Sequence, residues 1–470
     1  MGRPSGDFRT DRVPILLAVT AAALVVRLYF LADTHAESGQ DSYWLAGLAK
    51  GLIQGEFEIS SRFATAVQPL YPLLMGLLGS PLGDLLLAGK VVALLAGVAA
   101  VPATYLLWRE IEPKVALLAS ALVAFNYYGL YYSIHVFRDT LFLTFGTAAL
   151  ALLYRSRKDP SALPPMGAIL GLATLTRGEG YFLAAAAFLT YILWTKAKPS
   201  KRGHRQALTA LLLFAVMSLG WQLYAYSATG ELLPSRTLEE TEVKGHLGLG
   251  WLGNLIDLTT LPFAILALGG LALSRGDRER HLPLYLYLVL FSVPHMWFHE
   301  GNPRYALPLL PILLGWSSMA VSAIGDRLPD RGHALSILMV LSSLAFSASL
   351  VAEAEARGDD YAVVRDAVQW LEANEGGGTL YAGDEFVYGY YTDRRIIGAP
   401  RMDGYIRPLI NKVRYPFYST LITEEVRYLV AHDSLNPWLY TATRNLGSNF
   451  TTTGCEYSTR RPSHRSPSTR

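Results

Sequence analysis

The chain is short of charge and has almost no cysteine. Only 17% of its 470 residues are charged, against about 25% in an ordinary soluble protein, while 51% are hydrophobic. This balance excludes a disordered chain and argues against one large soluble domain. The one cysteine, Cys455, cannot form an internal disulfide or a multi-cysteine metal site. A net charge of +3 is too small to indicate a nucleic acid as partner.

Sequence signatures of nucleotide-driven proteins are also missing. The sequence contains no Walker motif and no Gly-x-Gly-x-x-Gly fingerprint that follows a strand. It contains no internal repeat either, whereas transporters often have two related halves. These absences exclude an ATP-driven pump and weaken the case for a two-fold repeated transporter.

Long apolar blocks do occur, and they recur from Val13 to Val351 before they stop. A helix needs roughly 20 apolar residues to cross the hydrocarbon core of a bilayer. On this basis we predict an α-helical polytopic membrane protein with about eleven spans and a small C-terminal α/β domain. The spans lie near 13–32, 83–108, 114–133, 140–154, 164–176, 181–195, 206–226, 252–274, 282–298, 305–324 and 333–352.

The domain boundaries follow from the same pattern. We predict a transmembrane domain over 1–352, a soluble domain over 353–459 and a disordered tail over 460–470, which is rich in Ser, Pro and Arg. Within the soluble domain, the apolar spacing of Asp359–Glu372 indicates a helix. Short strand-like runs follow, and they are Thr379–Ala382, Glu385–Tyr391, Arg395–Ile397 and Val426–Val430.

Lys and Arg are concentrated in alternate connecting segments, above all in 155–158, 196–205 and 275–280. The positive-inside rule assigns these segments to the cytoplasm, together with the N-terminus. The C-terminal domain and the long first loop, 33–82, are then extracytoplasmic. Within that loop, Trp44, Leu45, Leu48 and Leu52 share one helical face, which predicts a helix over Asp41–Ile53 that lies in the membrane interface.

Ionisable side chains gather at the outer ends of the predicted spans. Each has a structural explanation, because Arg27 can snorkel to the interface and Asp41, Asp139 and Glu179 can serve helix N-termini. A charge at the bilayer centre costs about 2.5–3.5 kcal/mol, so a group of charges at one depth calls for a shared reason. We interpret the group as a polar cavity whose further members are Tyr43, His135, Arg138, Arg177, His299, Glu300, Arg304 and Tyr305. The spacing of His135, Arg138 and Asp139 would place them on one helix face.

Several short segments, taken in order, resemble the GT-C superfamily of membrane glycosyltransferases. They are Arg27 before Asp41-Ser42-Tyr43, then Gln68-Pro-Leu-Tyr-Pro72, Arg138-Asp139, Leu175-Thr-Arg177-Gly-Glu179 and Arg304-Tyr305-Ala-Leu-Pro308. The chain is most similar to the branch with protein O-mannosyltransferases and the lipid A aminoarabinose transferase, over roughly residues 13–324. It departs from protein mannosyltransferases at Asp41-Ser42, where they usually have Asp-Glu.

The resemblance implies transfer of a monosaccharide from a polyprenyl-phosphate donor, dolichyl or undecaprenyl, on the extracytoplasmic face by one inverting displacement. The acceptor would be a lipid, a glycan or a protein. The resemblance also implies that Asp41 is the catalytic carboxylate and Asp139 a second acidic residue of the pocket. Arg138, Arg177 and Arg304 would bind the donor phosphate, and Tyr305 would line the lipid channel. Further pocket residues would be Arg27, Tyr43, His135, Glu179, His299 and Glu300.

No cofactor is required by this chemistry, because the leaving group is already a phosphate. A divalent metal is possible, with Asp41, Asp139 and His135 as its ligands. The alternative hypothesis is a transporter or flippase of lipids or sugar-lipids, which would also need many spans and buried charges. The position of the charges at one face, rather than at mid-span, favours the transferase.

Overall fold

The computed structural model describes residues 12–33, 40–54, 68–196, 200–229, 250–298, 302–328, 331–355, 362–374, 379–382, 390–392, 396–398 and 426–430. The chain divides into two units, Met1–Asp360 and Tyr361–Arg470. The predicted tail and the residues His299 and Glu300 lie outside the described residues.

The described part of the first unit is helical. Its α-helices are α1 (Arg12–Asp33), α2 (Gln40–Gln54), α3 (Leu70–Leu82), α4 (Leu85–Ile111), α5 (Ala116–Ala124), α6 (Tyr127–Ile134), α7 (Asp139–Ser156), α8 (Leu163–Thr176), α9 (Gly180–Thr195), α10 (Lys201–Thr229), α11 (Gly250–Thr259), α12 (Leu261–Ser274), α13 (Arg278–Phe298), α14 (Leu310–Gly325) and α15 (Gly332–Glu355). Short 3-10 helices form at Pro160–Ala162, Arg275–Asp277 and Pro303–Leu309.

Every predicted span falls on these helices. Within the described residues, five are by themselves long and apolar enough to cross a bilayer, and they are Arg12–Ala32, Leu85–Ile111, Lys201–Ser227, Pro303–Gly325 and Gly332–Ala354. A helix bent by 101° after Gly250–Thr259 adds a sixth. The other predicted spans correspond to shorter helices that pack against one another, such as α8 and α9. The prediction of a polytopic helical membrane protein is confirmed.

Local sequence explains several helix ends. At the junction of α3 and α4, Gly83 adopts a left-handed conformation (φ 70°) that ends α3, and Asp84 caps α4 by accepting a hydrogen bond from the Leu87 N–H at 3.0 Å. α3 begins at Leu70 although Pro72 follows two residues later. The reason is that Pro72 lies in the first turn, where the amide hydrogens have no partner within the helix.

Two of the predicted spans are broken, and one side chain connects the breaks. Asn126 separates α5 from α6, and its Oδ1 accepts from the Gly129 N–H at 3.0 Å. Its Nδ2 donates to the carbonyl of Leu258 at 2.9 Å, near the end of α11. There Thr260 has a positive φ of 66°, and Pro262 lies in the first turn of α12. A freed backbone carbonyl in a membrane needs a donor, and Asn126 supplies it.

Helices approach closely at two glycines, where any larger residue would collide with the neighbouring helix. A Cβ on Gly167 of α8 would collide with the backbone of Ala210 in α10, and one on Gly315 of α14 would collide with the indole of Trp108 in α4. The same indole donates to the carbonyl of Pro311 at 2.8 Å. The core of this unit is therefore packed helix against helix at backbone distance.

The second unit contains α16 (Ala362–Asn374) and a parallel sheet of β1 (Thr379–Ala382), β2 (Ile396–Gly398) and β3 (Val426–Val430), in the order β2-β1-β3. Leu380 is paired with Ile396 on one side and with Tyr428 on the other. The predicted α/β character is confirmed. Of the other predicted strand, 385–389 lie outside the described residues, and Tyr390 and Tyr391 are helical.

Candidate active site

The turn between α6 and α7 positions the first group of charges. His135 ends α6 with extended backbone, Arg138 occupies the N-cap of α7, and Asp139 is its first residue. The prediction that these three side chains share one helix face is therefore wrong, because α6 ends at Ile134 and the chain bends before α7 begins. The bend buries Asp139 and keeps His135 against its own helix.

Arg177 forms a buried ion pair with each of two carboxylates. It ends α8 with extended backbone, and Glu179 occupies the N-cap of α9. The guanidinium donates to Asp139 through Nη1 and to Glu179 through Nη2 and through Nε, the last at 3.1 Å. Such charge-assisted bonds are stronger than neutral ones, and the two carboxylates fix the plane of the guanidinium.

Burial and the neighbouring charges shift the pKa values of this group in opposite directions. Burial acts to lower the pKa of Arg177, but the charges of Asp139 and Glu179 outweigh it, so the pKa lies above its ordinary value. Burial acts to raise the pKa of Glu179, but the charge of Arg177 and its hydrogen bonds to the carboxylate hold that pKa well below its ordinary range. Both residues are therefore ionised at neutral pH.

A second ion pair lies closer to the surface. Nη1 of Arg304 donates to Oδ2 of Asp41 at 2.6 Å, and so links α2 to the 3-10 helix that precedes α14. Asn302 starts that 3-10 helix by accepting from the Arg304 N–H at 3.0 Å. The Asp41 side chain is 49% exposed, whereas Glu179 is 17% and Asp139 is 2% exposed. Among these three carboxylates, Asp41 is the one that an entering molecule can reach.

Tyr305 connects the two ion-paired groups. Its ring centroid lies 5.1 Å from Cζ of Arg304 and 5.5 Å from Cζ of Arg177, within the range of cation–π contact. Nη2 of Arg304 also donates to the Tyr305 hydroxyl at 3.3 Å. We call Asp41, Asp139, Arg177, Glu179 and Arg304 the ion-pair cluster.

Some polar atoms around the ion-pair cluster are buried without a hydrogen-bond partner in the described part of the chain. They are Nε of Arg304, Nη1 of Arg138 and Oε1 of Gln68. Gln68 lies beside the turn of Arg177, since a Cβ on Gly178 would be 3.9 Å from its Nε2. Burial, followed by the charge of Arg177, lowers the pKa of Arg138. Two guanidinium groups with unsatisfied donors favour an anion at this place, because a buried unpaired donor costs about 1–3 kcal/mol.

Other predicted pocket residues have different surroundings. Arg27 is buried, but its guanidinium binds the Ser133 hydroxyl at 2.8 Å and the carbonyl of Ala124 at 2.9 Å. Arg27 therefore does not snorkel to the interface, because it joins α1 to the α5–α6 break. Tyr43 is buried on α2. Nδ1 of His135 lies 2.9 Å from the carbonyl of Tyr131.

Sequence reasoning missed His295, which lies inside α13. Its Nε2 is 3.7 Å from Oε1 of Glu179, and its ring stacks on Phe291 and Trp251 at centroid distances of 4.3 and 4.8 Å. Nδ1 contacts the carbonyl of Phe291 at 2.7 Å. The signal that could have revealed it is an ionisable residue within an apolar span, which by default indicates function.

The suggested metal ligands do not form a metal site. The carboxylates of Asp41 and Asp139 each bind a different arginine, and His135 directs Nδ1 to a backbone carbonyl. No group of three His, Cys, Asp or Glu suited to a metal occurs among the residues that the structure describes.

Parts of the chain are similar to known proteins. A family model described as dolichyl-phosphate-mannose-protein mannosyltransferase matches residues 67–221. That segment contains Arg138, Asp139, Arg177 and Glu179. No curated protein matches the chain.

Solved structures show the fold. ArnT from Cupriavidus metallidurans, bound to undecaprenyl phosphate, is similar with a TM-score of 0.64 and 13% identity, over 93% of this chain and 95% of that chain. The Archaeoglobus fulgidus oligosaccharyltransferase in complex with Zn and sulfate is similar with a TM-score of 0.61 and 15% identity, over 81% of this chain and 62% of that chain. AglB from Archaeoglobus fulgidus, with an inhibitory peptide and a dolichol-phosphate, has a TM-score of 0.60 and 14% identity, over 82% and 64%. This chain thus spans less than two thirds of the length of the archaeal proteins.

The chain is a membrane protein that shares the GT-C fold of ArnT and of the archaeal oligosaccharyltransferase. The resemblance stated from the sequence is confirmed at the level of the fold.

Proposed function

We propose that this protein is a glycosyltransferase that moves a monosaccharide from a polyprenyl-phosphate donor to an acceptor hydroxyl. The observation that supports this most strongly is an accessible carboxylate, Asp41, that is paired with Arg304, whose Nε is a buried donor without a partner among the described residues. Arg138, within electrostatic range of Arg304, has a second such donor. Such a site offers a base and a phosphate-binding surface side by side. ArnT, which shares the fold, was solved with undecaprenyl phosphate, and AglB with a dolichol-phosphate.

The proposed reaction is a single displacement. The acceptor hydroxyl loses its proton to Asp41 while its oxygen forms a bond to the anomeric carbon. The bond from that carbon to the phosphate oxygen breaks, and the polyprenyl phosphate leaves with the bonding pair. Arg304 and Arg138 stabilise the negative charge that grows on the phosphate, because guanidinium donors match its oxygens. The anomeric centre is inverted.

Asp139 and Glu179 have a different proposed role. Both are held by Arg177, and Asp139 is 2% exposed against 49% for Asp41. We assign them to positioning: they neutralise Arg177 and fix its guanidinium against Tyr305. The second acidic residue predicted from the resemblance then acts through Arg177 rather than on the substrate.

We also propose that the ion-pair cluster faces the extracytoplasmic side. Asp139 begins α7, and Arg155 and Arg157 lie at the other end of that helix. With 18 residues, α7 is about 27 Å long, close to the thickness of the hydrocarbon core. The basic end carries the pairs Arg157–Glu279 and Lys158–Glu110. The positive-inside rule places that end in the cytoplasm, and hence the cluster outside.

A reconstituted assay tests the proposed function. Purified protein in liposomes receives undecaprenyl- and dolichyl-phosphate sugars of several kinds, with lipid, glycan and peptide acceptors. We expect a labelled sugar to move to one acceptor and sugar-free polyprenyl phosphate to accumulate. If no sugar moves with any donor, but a labelled glycolipid crosses the bilayer, the protein is a flippase and the proposal is wrong.

A further inference from the structure

A second set of buried polar groups lies beside the ion-pair cluster. Nε1 of Trp251, Nδ2 of Asn254 and the hydroxyl of Tyr287 are all buried, and none has a hydrogen-bond partner in the portion of the chain that the structure describes. The three side chains are at most 2% exposed. Polar atoms at such depth are almost always paired in native proteins, so three of them in one region indicate a ligand.

These side chains line two helix faces that meet. Trp251 and Asn254 are about one turn apart on the buried face of α11. Tyr287 and His295 are about two turns apart on α13, with Phe291 between them. The indole of Trp251 stacks on the ring of His295 at 4.8 Å, which brings the two faces into contact.

Both faces adjoin the ion-pair cluster. α11 packs against the 3-10 helix that carries Arg304 and Tyr305, and α13 packs against α9 next to Glu179. Tyr287 is within electrostatic range of Glu179 and Arg177, and the ring of His295 lies 6.4 Å from that of Tyr305. A ligand whose phosphate sits at the arginines would therefore extend its neighbouring group towards Trp251, Asn254 and Tyr287.

The chemistry of the three groups identifies that neighbouring group. The indole and the amide nitrogen can only donate, while a tyrosine hydroxyl both donates and accepts. A polyprenyl tail offers no acceptor, and a phosphate would be bound more strongly by the arginines. A sugar ring carries several hydroxyls and a ring oxygen, each able to accept. We propose that Trp251, Asn254 and Tyr287 bind the sugar ring of the donor and so determine which sugar is transferred. This proposal rests on the proposed function.

Binding of glycosylated and of sugar-free undecaprenyl phosphate by the purified full chain tests the proposal. The probes are undecaprenyl phosphate that carries a hexose or an aminopentose, and undecaprenyl phosphate without a sugar. The variants are Trp251→Phe, Asn254→Leu and Tyr287→Phe. We expect each variant to bind the glycosylated lipid about tenfold more weakly, because each removes one hydrogen bond. Binding of the sugar-free lipid should change less than about twofold, since its phosphate contacts are intact.

Tyr285→Phe is the matched control. It removes a hydroxyl from the same helix, but that hydroxyl contacts Ser274 across the 3-10 turn at 2.5 Å, away from the ion-pair cluster. It should bind both lipids like the wild type, and binding of the sugar-free lipid also shows that each variant is folded.

The possible failures are distinct. If the wild type transfers sugar while the three variants bind the glycosylated lipid unchanged, or lose both lipids equally, the sugar assignment is wrong and the proposed function stands. If the wild type binds neither lipid and transfers no sugar, the proposed function is wrong, and the sugar assignment with it.

Discussion

Arg304 and Asp41, 263 residues apart in the chain, form an ion pair with a nitrogen–oxygen distance of 2.6 Å. The pair connects α2 to the 3-10 helix that precedes α14, and it holds the most exposed carboxylate of the ion-pair cluster beside a guanidinium with an unsatisfied donor. A carboxylate and a guanidinium group are thus kept at contact distance by elements from opposite ends of the membrane unit.

Asp41→Asn should abolish transfer. The amide cannot accept the proton of the acceptor, and loss of general-base catalysis costs roughly 100- to 10,000-fold in rate. Because Asp41 is half-exposed and an amide can still accept a hydrogen bond from Arg304, the thermal unfolding temperature should change little. Initial rates and unfolding curves of the two proteins check this, and transfer at the wild-type rate would remove Asp41 from its proposed role.

Arg304→Lys should weaken donor binding while the charge is kept. A lysine lacks the planar fork that binds two phosphate oxygens and that lies over the Phe137 ring, 5.1 Å from Cζ of Arg304. We expect KM for the polyprenyl-phosphate sugar to rise about tenfold or more. Arg157→Lys is the control, because Arg157 forms an exposed pair with Glu279 at the other end of α7. Equal effects of the two substitutions on KM would contradict the phosphate-binding role.

The pair of Arg177 and Asp139 should behave as one unit in unfolding. Arg177→Met leaves buried carboxylates without their partner and should lower the free energy of unfolding by about 3–5 kcal/mol. Asp139→Leu should lower it by a similar amount, because it removes a carboxylate partner from the buried guanidinium. The double variant should be destabilised by less than the sum, with a coupling of about 0.5–3 kcal/mol. Free energies of unfolding from detergent titration measure this. Lys158→Ala, in an exposed pair with Glu110, should cost at most about 1 kcal/mol, and strict additivity of the buried pair would contradict the prediction.

Gly167→Ala should destabilise the protein through overpacking. The added methyl group would collide with the backbone of Ala210, which cannot move without separating α8 from α10. A cost of about 1–3 kcal/mol is expected in the same titration. Gly220→Ala in α10 is the control, since its Cβ would have no atom within 4 Å, and it should be neutral or stabilising because alanine favours a helix. Equal costs at the two positions would show that the helices do not meet at Gly167.

Single-cysteine labelling should establish the orientation. In a Cys455→Ser background, Ser80→Cys at the end of α3 should react with a membrane-impermeant maleimide in intact cells. Ser161→Cys, in the exposed 3-10 turn between α7 and α8, should react only after the membrane is opened. The reverse pattern would place the ion-pair cluster in the cytoplasm and overturn the proposed topology.

The positions of the spans could be predicted because length and apolarity are local properties of the sequence. The separation of α8 from α9 also followed from the sequence, since merging them would have moved the basic segment 196–205 to the wrong side. The breaks at Asn126 and Thr260 could not be predicted in this way. Each depends on a distant partner, and the carbonyl of Leu258 is 132 residues from the amide that satisfies it.

The candidate site, too, could be predicted only in part. The common membrane depth of Asp41, Asp139, Arg177 and Arg304 indicated one cavity, and the structure brings these residues together; their roles stay predictions. Their partners could not be assigned, because several arginines and carboxylates at one depth allow many pairings. Arg27 belonged to that set by position, yet the α5–α6 break supplies it with carbonyl acceptors instead. His295 was hidden because an apolar span was treated as uniform.

The hydrogen bond from Asn126 to the Leu258 carbonyl has a mechanical consequence. It joins two interrupted spans, so a movement of α11 that preserves the bond must carry the α5–α6 break with it. Arg27 anchors that break to α1. The two interruptions and the first helix are therefore linked by hydrogen bonds, and none of the three can shift alone without breaking one of them.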